Sequence, residues 1–312
     1  MDPATILFGF GIGLLVGMTG MGGGSLMTPL LILFLGVKPV TAIGTDIFYA
    51  AVTKTVGGWR HLRLRTVNLE LSFWLAVGSV PSAVAGVWAI EILQSRFGED
   101  SLNSVVYSIL GATLLVVGLI TLGRALIVTG LIQEREHFHI KGHHKAAAII
   151  IGATTGFIIG LTSAGSGTVI AILLIAIFRL SPHRVVGTDI FHAALLLWAA
   201  GIAHVVGGNV DFGLAGNILA GSVPGVIIGS QLSTKAPQGM LRTALGVVLV
   251  ASGVTMLTKA DGDIWPFAAG IAAIGFGFLL WAQHHWQTRR GREAVGELAP
   301  EADTPGGATL AP

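Results

Sequence analysis

The chain has 312 residues, of which 53% are hydrophobic and only 11% charged, and its mean hydropathy is +0.79. A soluble domain carries about 25% charged residues to face water, so this composition excludes an ordinary soluble protein. A formal net charge of +2 without a basic stripe excludes nucleic acid as a partner, and the absence of cysteine excludes disulfides, thiolate metal sites and a cysteine nucleophile.

The first apolar stretch, residues 5–35, lacks the basic start and cleavage site of a signal peptide and reads as part of the mature protein. It is interrupted by Thr19-Gly20-Met21-Gly22-Gly23-Gly24-Ser25. Apolar segments at 40–59, 69–90 and 102–122 follow, near the ~20 residues that cross a bilayer core. After a polar linker, a second long stretch at 146–178 is interrupted by Thr162-Ser163-Ala164-Gly165-Ser166-Gly167-Thr168. Three more segments at 183–206, 212–233 and 241–258 repeat the earlier order, and an unpaired one at 264–284 comes last. The tail from Thr288 is polar and rich in Gly, Pro, Ala and Glu, which predicts disorder.

An internal repeat organises these elements. Gly44-Thr45-Asp46-Ile47-Phe48 recurs as Gly187-Thr188-Asp189-Ile190-Phe191, and the GSVP tetrapeptide at 78–81 recurs at 221–224. Both recurrences are offset by 143 residues, and at that offset 17–81 align with 160–224 without a gap, 23 of 65 positions being identical. Two unrelated apolar segments would match in Leu, Ile and Val, not in Gly, Pro, Asp and His. The chain thus divides into a first repeat (1–122), a linker (123–145), a second repeat (146–258), an extra transmembrane helix (259–286) and a tail (287–312).

Loop charge predicts orientation, since cytoplasmic loops hold excess Lys and Arg. The loop 60–68 with Arg60, Arg63 and Arg65, the linker with Arg124, Arg135, Lys141 and Lys145, and the loop with Arg179 and Arg184 are placed inside. The loop with Glu91, Glu99 and Asp100, and the loop 207–211, are placed outside, and Arg289, Arg290 and Arg292 put the C-terminus in the cytoplasm. Segment 146–178 then starts and ends on one side, which makes it a re-entrant hairpin turned at its glycines. The two repeats are expected to be inverted, as in many secondary transporters. The predicted fold is all-α: two inverted repeats, each a Gly-broken re-entrant hairpin plus three transmembrane helices, and one extra helix.

The breaks carry the functional expectation. Each Gly in a helix interior costs about 1 kcal/mol relative to Ala, and freed backbone groups in lipid must be buried in protein or face a wet cavity. Helices resuming near Ser25 and Thr168 would present N–H groups and a positive dipole end to an anion. The candidate substrate-binding residues are Thr19, Gly22, Gly23, Gly24, Ser25 and Thr45, with Thr162, Ser163, Gly165, Ser166, Gly167, Thr168 and Thr188 in the second half. Close helix packing is the alternative role for the break glycines.

Asp46 and Asp189 are intramembrane carboxylates, either structural or proton-coupling. Tyr49 and His192 follow three residues on. Lys54 reads as snorkelling toward the basic loop, or as positive charge in the pathway. His61 and His204 read as helix-end residues, and His137, His139, His143 and His144 as a solvated loop rather than a metal site. Small-residue spacing at Gly78, Ser82 and Gly86 and at Gly221, Gly225 and Gly229 predicts close helix packing. GMGGGSLM lacks a P-loop lysine, and HExxH and GxSxG are absent, so no catalytic constellation, metal site or cofactor is expected.

The succession GMTGMGGGSLMTPLLILFLGVKP, GTDIF, VNLEL and GSVP, repeated as GLTSAGSGTVIAILLI, GTDIF and GSVPGVIIG, resembles the TauE/SafE sulfite exporter family over roughly residues 5–258. Many members have GTS where this chain has GTD twice. The resemblance implies a secondary carrier of sulfite, sulfonates or related small sulfur-containing organic anions in a bacterial inner membrane. The breaks at 19–25 and 162–168 and the GTD stretches would line its path. Its partners would be a small anion and the bilayer, and a homo-oligomer is compatible with the sequence. A passive anion channel and an intramembrane enzyme or sensor are the competing readings.

Overall fold

The computed structural model describes residues 2–19, 23–126, 142–164, 167–178, 180–233 and 238–260, and every regular element among them is helical. The expected span at 264–284, the tail, most of the linker (with His137 and His139), Gly22, Gly165 and Ser166 lie outside the described residues.

Helix α1 (Pro3–Thr19) starts after Asp2, whose carboxylate accepts the N–H groups of Ala4 and Thr5 at 3.2 and 3.1 Å and so caps the helix. The Thr5 hydroxyl, then these backbone donors, hold the Asp2 carboxyl below the usual aspartate range. After a 3-10 turn at Gly23–Ser25 comes the short α2 (Met27–Phe34). Helices α3 (Pro39–Arg63) and α7 (Pro182–Val206) each begin on a proline, where the missing N–H has no partner to lose. Helix α4 (Leu69–Leu126) is two arms, Leu69–Arg96 and Ser101–Gly123, joined at Gly98 with φ 78° and ψ 171°, a conformation open to glycine. The second half continues with α5 (Gly142–Thr162), α6 (Thr168–Phe178), α8 (Phe212–Ser233) and α9 (Gln238–Lys259).

Among the described residues, five helices are long and apolar enough to cross a membrane: the two arms of α4, α5, α7 from His183 on, and α8 to Leu232. Helix α3 is as long as α7 at 25 residues but carries Asp46 and Lys54 within it.

The halves pack on each other. Helix α1 runs along α8, and the first arm of α4 runs along α5, at glycine-to-backbone distance. A Cβ on Gly13 would lie 2.3 Å from the Ser222 carbonyl oxygen, and one on Gly156 would lie 2.4 Å from that of Ser79. These are the same contact seen twice, since 13 + 143 = 156 and 79 + 143 = 222. Gly17 on Val226 and Gly160 on Ala83 form a second such couple. Residue numbers climb together along both interfaces, so each pair of helices is parallel. The small-residue spacing read from Gly78, Gly86, Gly221, Gly225 and Gly229 therefore does its packing here.

Helices α3 and α7 instead cross antiparallel: Gly58 meets Phe191 while Gly201 meets Phe48. The Trp198 Nε1–H donates to the Thr55 Oγ1 at 2.8 Å. Those two positions are equivalent under the 143-residue offset (55 + 143 = 198), which puts the contact on an internal two-fold axis. Even the turns match. Arg65, with φ 55°, stands where the second half has Gly208, with φ 71°.

A bulky side chain at Gly13 or Gly156 must force two backbones apart. Gly13→Leu and Gly156→Leu are expected to destabilise the detergent-purified protein by about 1–3 kcal/mol or more, read as a lower thermal unfolding midpoint. Gly11→Ala, with nothing within 4 Å of its added carbon, leaves the midpoint almost unchanged.

Candidate substrate site

The two Gly-Thr-Asp triplets set the site. A Cβ on Gly44 would lie 2.4 Å from the Asn209 carbonyl oxygen, and one on Gly187 would lie 2.8 Å from that of Thr66, so the other half's loop passes directly over each glycine. The Thr45 hydroxyl accepts the Asp211 N–H at 3.0 Å, and the Thr188 hydroxyl accepts the Asn68 N–H at 3.0 Å. Asp211 and Asn68 cap α8 and α4, accepting the N–H groups of Leu214 and Leu71 at 2.9 and 3.1 Å. Both threonines are fully buried. The structure thus gives Thr45 and Thr188 a brace between halves, and leaves the aspartates to face inward.

Asp46 is fully buried. Its Oδ2 accepts the Thr28 hydroxyl at 2.6 Å and the Ser163 hydroxyl at 2.8 Å, and the Thr28 N–H is directed at the same carboxylate. Its Oδ1 has no hydrogen-bond partner among the described residues. Ser163 belongs to the second break and holds φ 58°, unusual for a side-chain-bearing residue. Thr28 lies in the first turn of α2, so Asp46 occupies the positive end of that helix. The helix after the first break, whose end the sequence offers to an anion, thus has the chain's own carboxylate at that end.

Asp189 is buried without these donors. The positions equivalent to Thr28 and Ser163 are Ala171 and Gly20, neither of which bears a hydroxyl, and Asp189 Oδ1 has no partner among the described residues. Lys54 is 8% exposed and within electrostatic reach of both acids, Asp189 more strongly than Asp46. Burial between two carboxylates corrects the snorkelling expectation. Tyr49 meets the Ser222 side chain, and its equivalent His192 shares a 2.8 Å hydrogen bond through Nε2 with Ser79, the equivalent of Ser222. The helix-end histidines serve structure: His61 Nδ1 bonds the Thr66 hydroxyl at 2.9 Å, and His204 Nε2 meets the Gly160 carbonyl at 3.3 Å.

The remaining break residues shape backbone. The Thr162 hydroxyl donates to the Ile158 carbonyl at 2.7 Å and accepts the Ala164 N–H at 3.2 Å, closing α5. The Gly167 carbonyl accepts the Ala171 N–H at 3.1 Å, opening α6 at Thr168. Thr19 ends α1, while Gly23, buried Gly24 and Ser25 form the 3-10 turn. Sequence reasoning missed Thr28 altogether. Its signal was available in the repeat, as a hydroxyl where the second half has Ala171. No group of three or more metal-ligating side chains occurs among the described residues, and the rings of His143 and His144 lie 3.9 Å apart as a pair.

Removing a donor from a buried carboxylate costs about 1.5–3 kcal/mol. Thr28→Val and Ser163→Ala are each expected to lower the unfolding midpoint, and Asp46→Asn in the same background is expected to recover part of the loss. Double-mutant cycles on thermal unfolding read this coupling directly. Thr45→Val and Thr188→Val, which orphan equivalent N–H groups, should produce losses of similar size in the same assay, about 1–3 kcal/mol each.

Comparison with known proteins places this arrangement. A family model described as Sulfite exporter TauE/SafE matches residues 5–256. The chain is 38% identical over 257 residues to the probable membrane transporter protein YjnA of Bacillus subtilis, covering 82% of this chain and all of the relative. It is 27% identical to the probable membrane transporter protein YdhB of the same organism, over 81% of this chain and 98% of that one. Against the probable membrane transporter protein MJ0441 of Methanocaldococcus jannaschii it is 25% identical, over 82% and 95%. No solved structure gives a significant match. A match across almost all of the helical chain, with five apolar membrane-spanning helices, shows that this multi-pass membrane transporter belongs to the TauE/SafE sulfite exporter family.

Proposed function

We propose that the protein is a secondary carrier that moves sulfite, sulfonates or related small sulfur-containing organic anions across the bacterial inner membrane, coupled to protons through one or both of Asp46 and Asp189. One observation carries the coupling: two buried carboxylates at equivalent positions of antiparallel helices, with Lys54 buried and acting electrostatically on both. A membrane interior tolerates such groups at a cost that a transport role explains. The names of the matching family and its relatives support a carrier rather than an enzyme, and the family name supports the sulfur anion.

The antiparallel course of α3 and α7 supports repeats inverted across the bilayer, with the breaks as re-entrant hairpins meeting near the midplane. In this reading Ser163, Ser25, Thr168 and the glycines of both breaks line the anion's path. Thr45 and Thr188 act on it indirectly, by fixing the aspartates. Exchange proceeds by rocking of the glycine-locked pairs α1–α8 and α4–α5 against the axial helices. The C-terminus lies in the cytoplasm.

The test is flux of sulfite or a sulfonate into proteoliposomes with and without an imposed pH gradient. Saturable flux that follows the gradient and falls at least tenfold in Asp46→Asn or Asp189→Asn is expected. Flux linear in concentration would make the protein a channel, and flux untouched in both variants would remove the carboxylates from the mechanism.

A further inference from the structure

The buried charges do not balance, and the imbalance is asymmetric between the halves. Among the described residues two buried carboxylates accompany one buried ammonium, because Lys54 of the first half is matched by Leu197 in the second. The two acids are also unequally provided for. Asp46 has two hydroxyl donors and a helix N-terminus, whereas Asp189 has Ala171 and Gly20 at the positions where those hydroxyls would come from. Asp189 therefore depends on Lys54 in a way that Asp46 does not.

Helix geometry agrees. Lys54 lies eight residues beyond Asp46, about 12 Å along α3. The antiparallel crossing, in which Gly58 meets Phe191, brings Asp189 of α7 to the C-terminal half of α3, on the side toward which Lys54 is displaced. Among the described residues, the titratable groups that interact electrostatically with Lys54 are Asp46 on its own helix and Asp189 and His192 on α7. Helices α2 and α8 contain no Asp, Glu, Lys, Arg or His, and the buried polar residues of α4 are only serines and a threonine.

We propose that Lys54 is the exchangeable countercharge of the site: it is held by Asp189 when no anion is bound, and turns to the substrate anion when Asp189 takes a proton from solvent. The proposal rests on the carrier reading above for the identity of the anion, but the ion pair itself does not. With both acids ionised the cluster carries one net negative charge and repels an anion. One proton on Asp189 brings the cluster to neutrality and frees the ammonium, so a monovalent anion enters with a proton. Asp46, kept by Thr28 and Ser163, stays a fixed part of the frame. The anion's selectivity then resides in a lysine present in only one repeat.

Two measurements on the full-length purified protein test this. The first is thermal unfolding of Lys54→Met alone and combined with Asp189→Asn or Asp46→Asn. Lys54→Met is expected to lower the midpoint, Asp189→Asn to restore most of it, and Asp46→Asn to restore less. The double variants keep the test informative if Lys54→Met alone fails to fold. Equal or greater recovery by Asp46→Asn, or none by either, overturns the pairing.

The second is binding of methanesulfonate, which stays ionised from about pH 5.5 to about pH 8. Wild type should bind more tightly as pH falls, by up to about tenfold per unit, the limit for one proton. Asp189→Asn should bind with no pH dependence, and Lys54→Gln should not bind. A pH dependence unchanged in Asp189→Asn overturns the exchange. Methanesulfonate failing to bind wild type at any pH, with the unfolding pattern as expected, sinks the sulfonate reading while supporting the ion pair.

Discussion

Charge buried in a low-dielectric interior is the constraint on which the rest of this structure depends. A carboxylate on a membrane-crossing helix is costly unless donors or a counter-ion meet it. Here one acid is met by the hydroxyls of Thr28 and Ser163, and the other feels the charge of the buried Lys54. Ser163 of the second half reaches Asp46 across the repeat boundary, and the charge of Lys54 in the first half acts on Asp189 in the second. The first half supplies Thr28 to its own acid and the second half adds Ser163.

The same interdependence governs the backbone. Each GTD glycine lies under a loop of the other half, and each GTD threonine receives an N–H from it. Glycines along α1, α5, α8 and the first arm of α4 let helices from different halves approach backbone to backbone. Lipid tails are as apolar as leucine side chains, so close van der Waals contact has to supply what the hydrophobic effect supplies in water. Two glycine-locked pairs flank a crossed axial pair, and the cross-braces tie each pair to an axial helix. The breaks sit where the units meet the axial helices, at Ser163 and Asp46.

Symmetry broken at a few positions does as much as symmetry kept. Tyr49 with Ser222 and His192 with Ser79 preserve the same polar link with different chemistry. Thr28 against Ala171, and Lys54 against Leu197, do not preserve it at all. The duplicated frame therefore provides for its two acids unequally, with hydroxyl donors at Asp46 whose equivalents are missing at Asp189.

Sequence by itself determined the membrane class, the duplication and the helical segments, because apolar length and the 143-residue recurrence are properties of the chain read in one dimension. It also located the two breaks, since three adjacent glycines at 22–24 contradict a helix interior and the second break repeats Gly22 and Gly24 as Gly165 and Gly167. The tertiary structure alone decided which groups meet. Periodicity could not show that α1 would pair with α8 rather than with its own half, that Thr45 would serve a loop 166 residues away, or that Lys54 would turn inward. Each of those depends on the crossing of α3 and α7, and a lysine stem is long enough to reach either an interface or a buried acid until the opposing helix is in place.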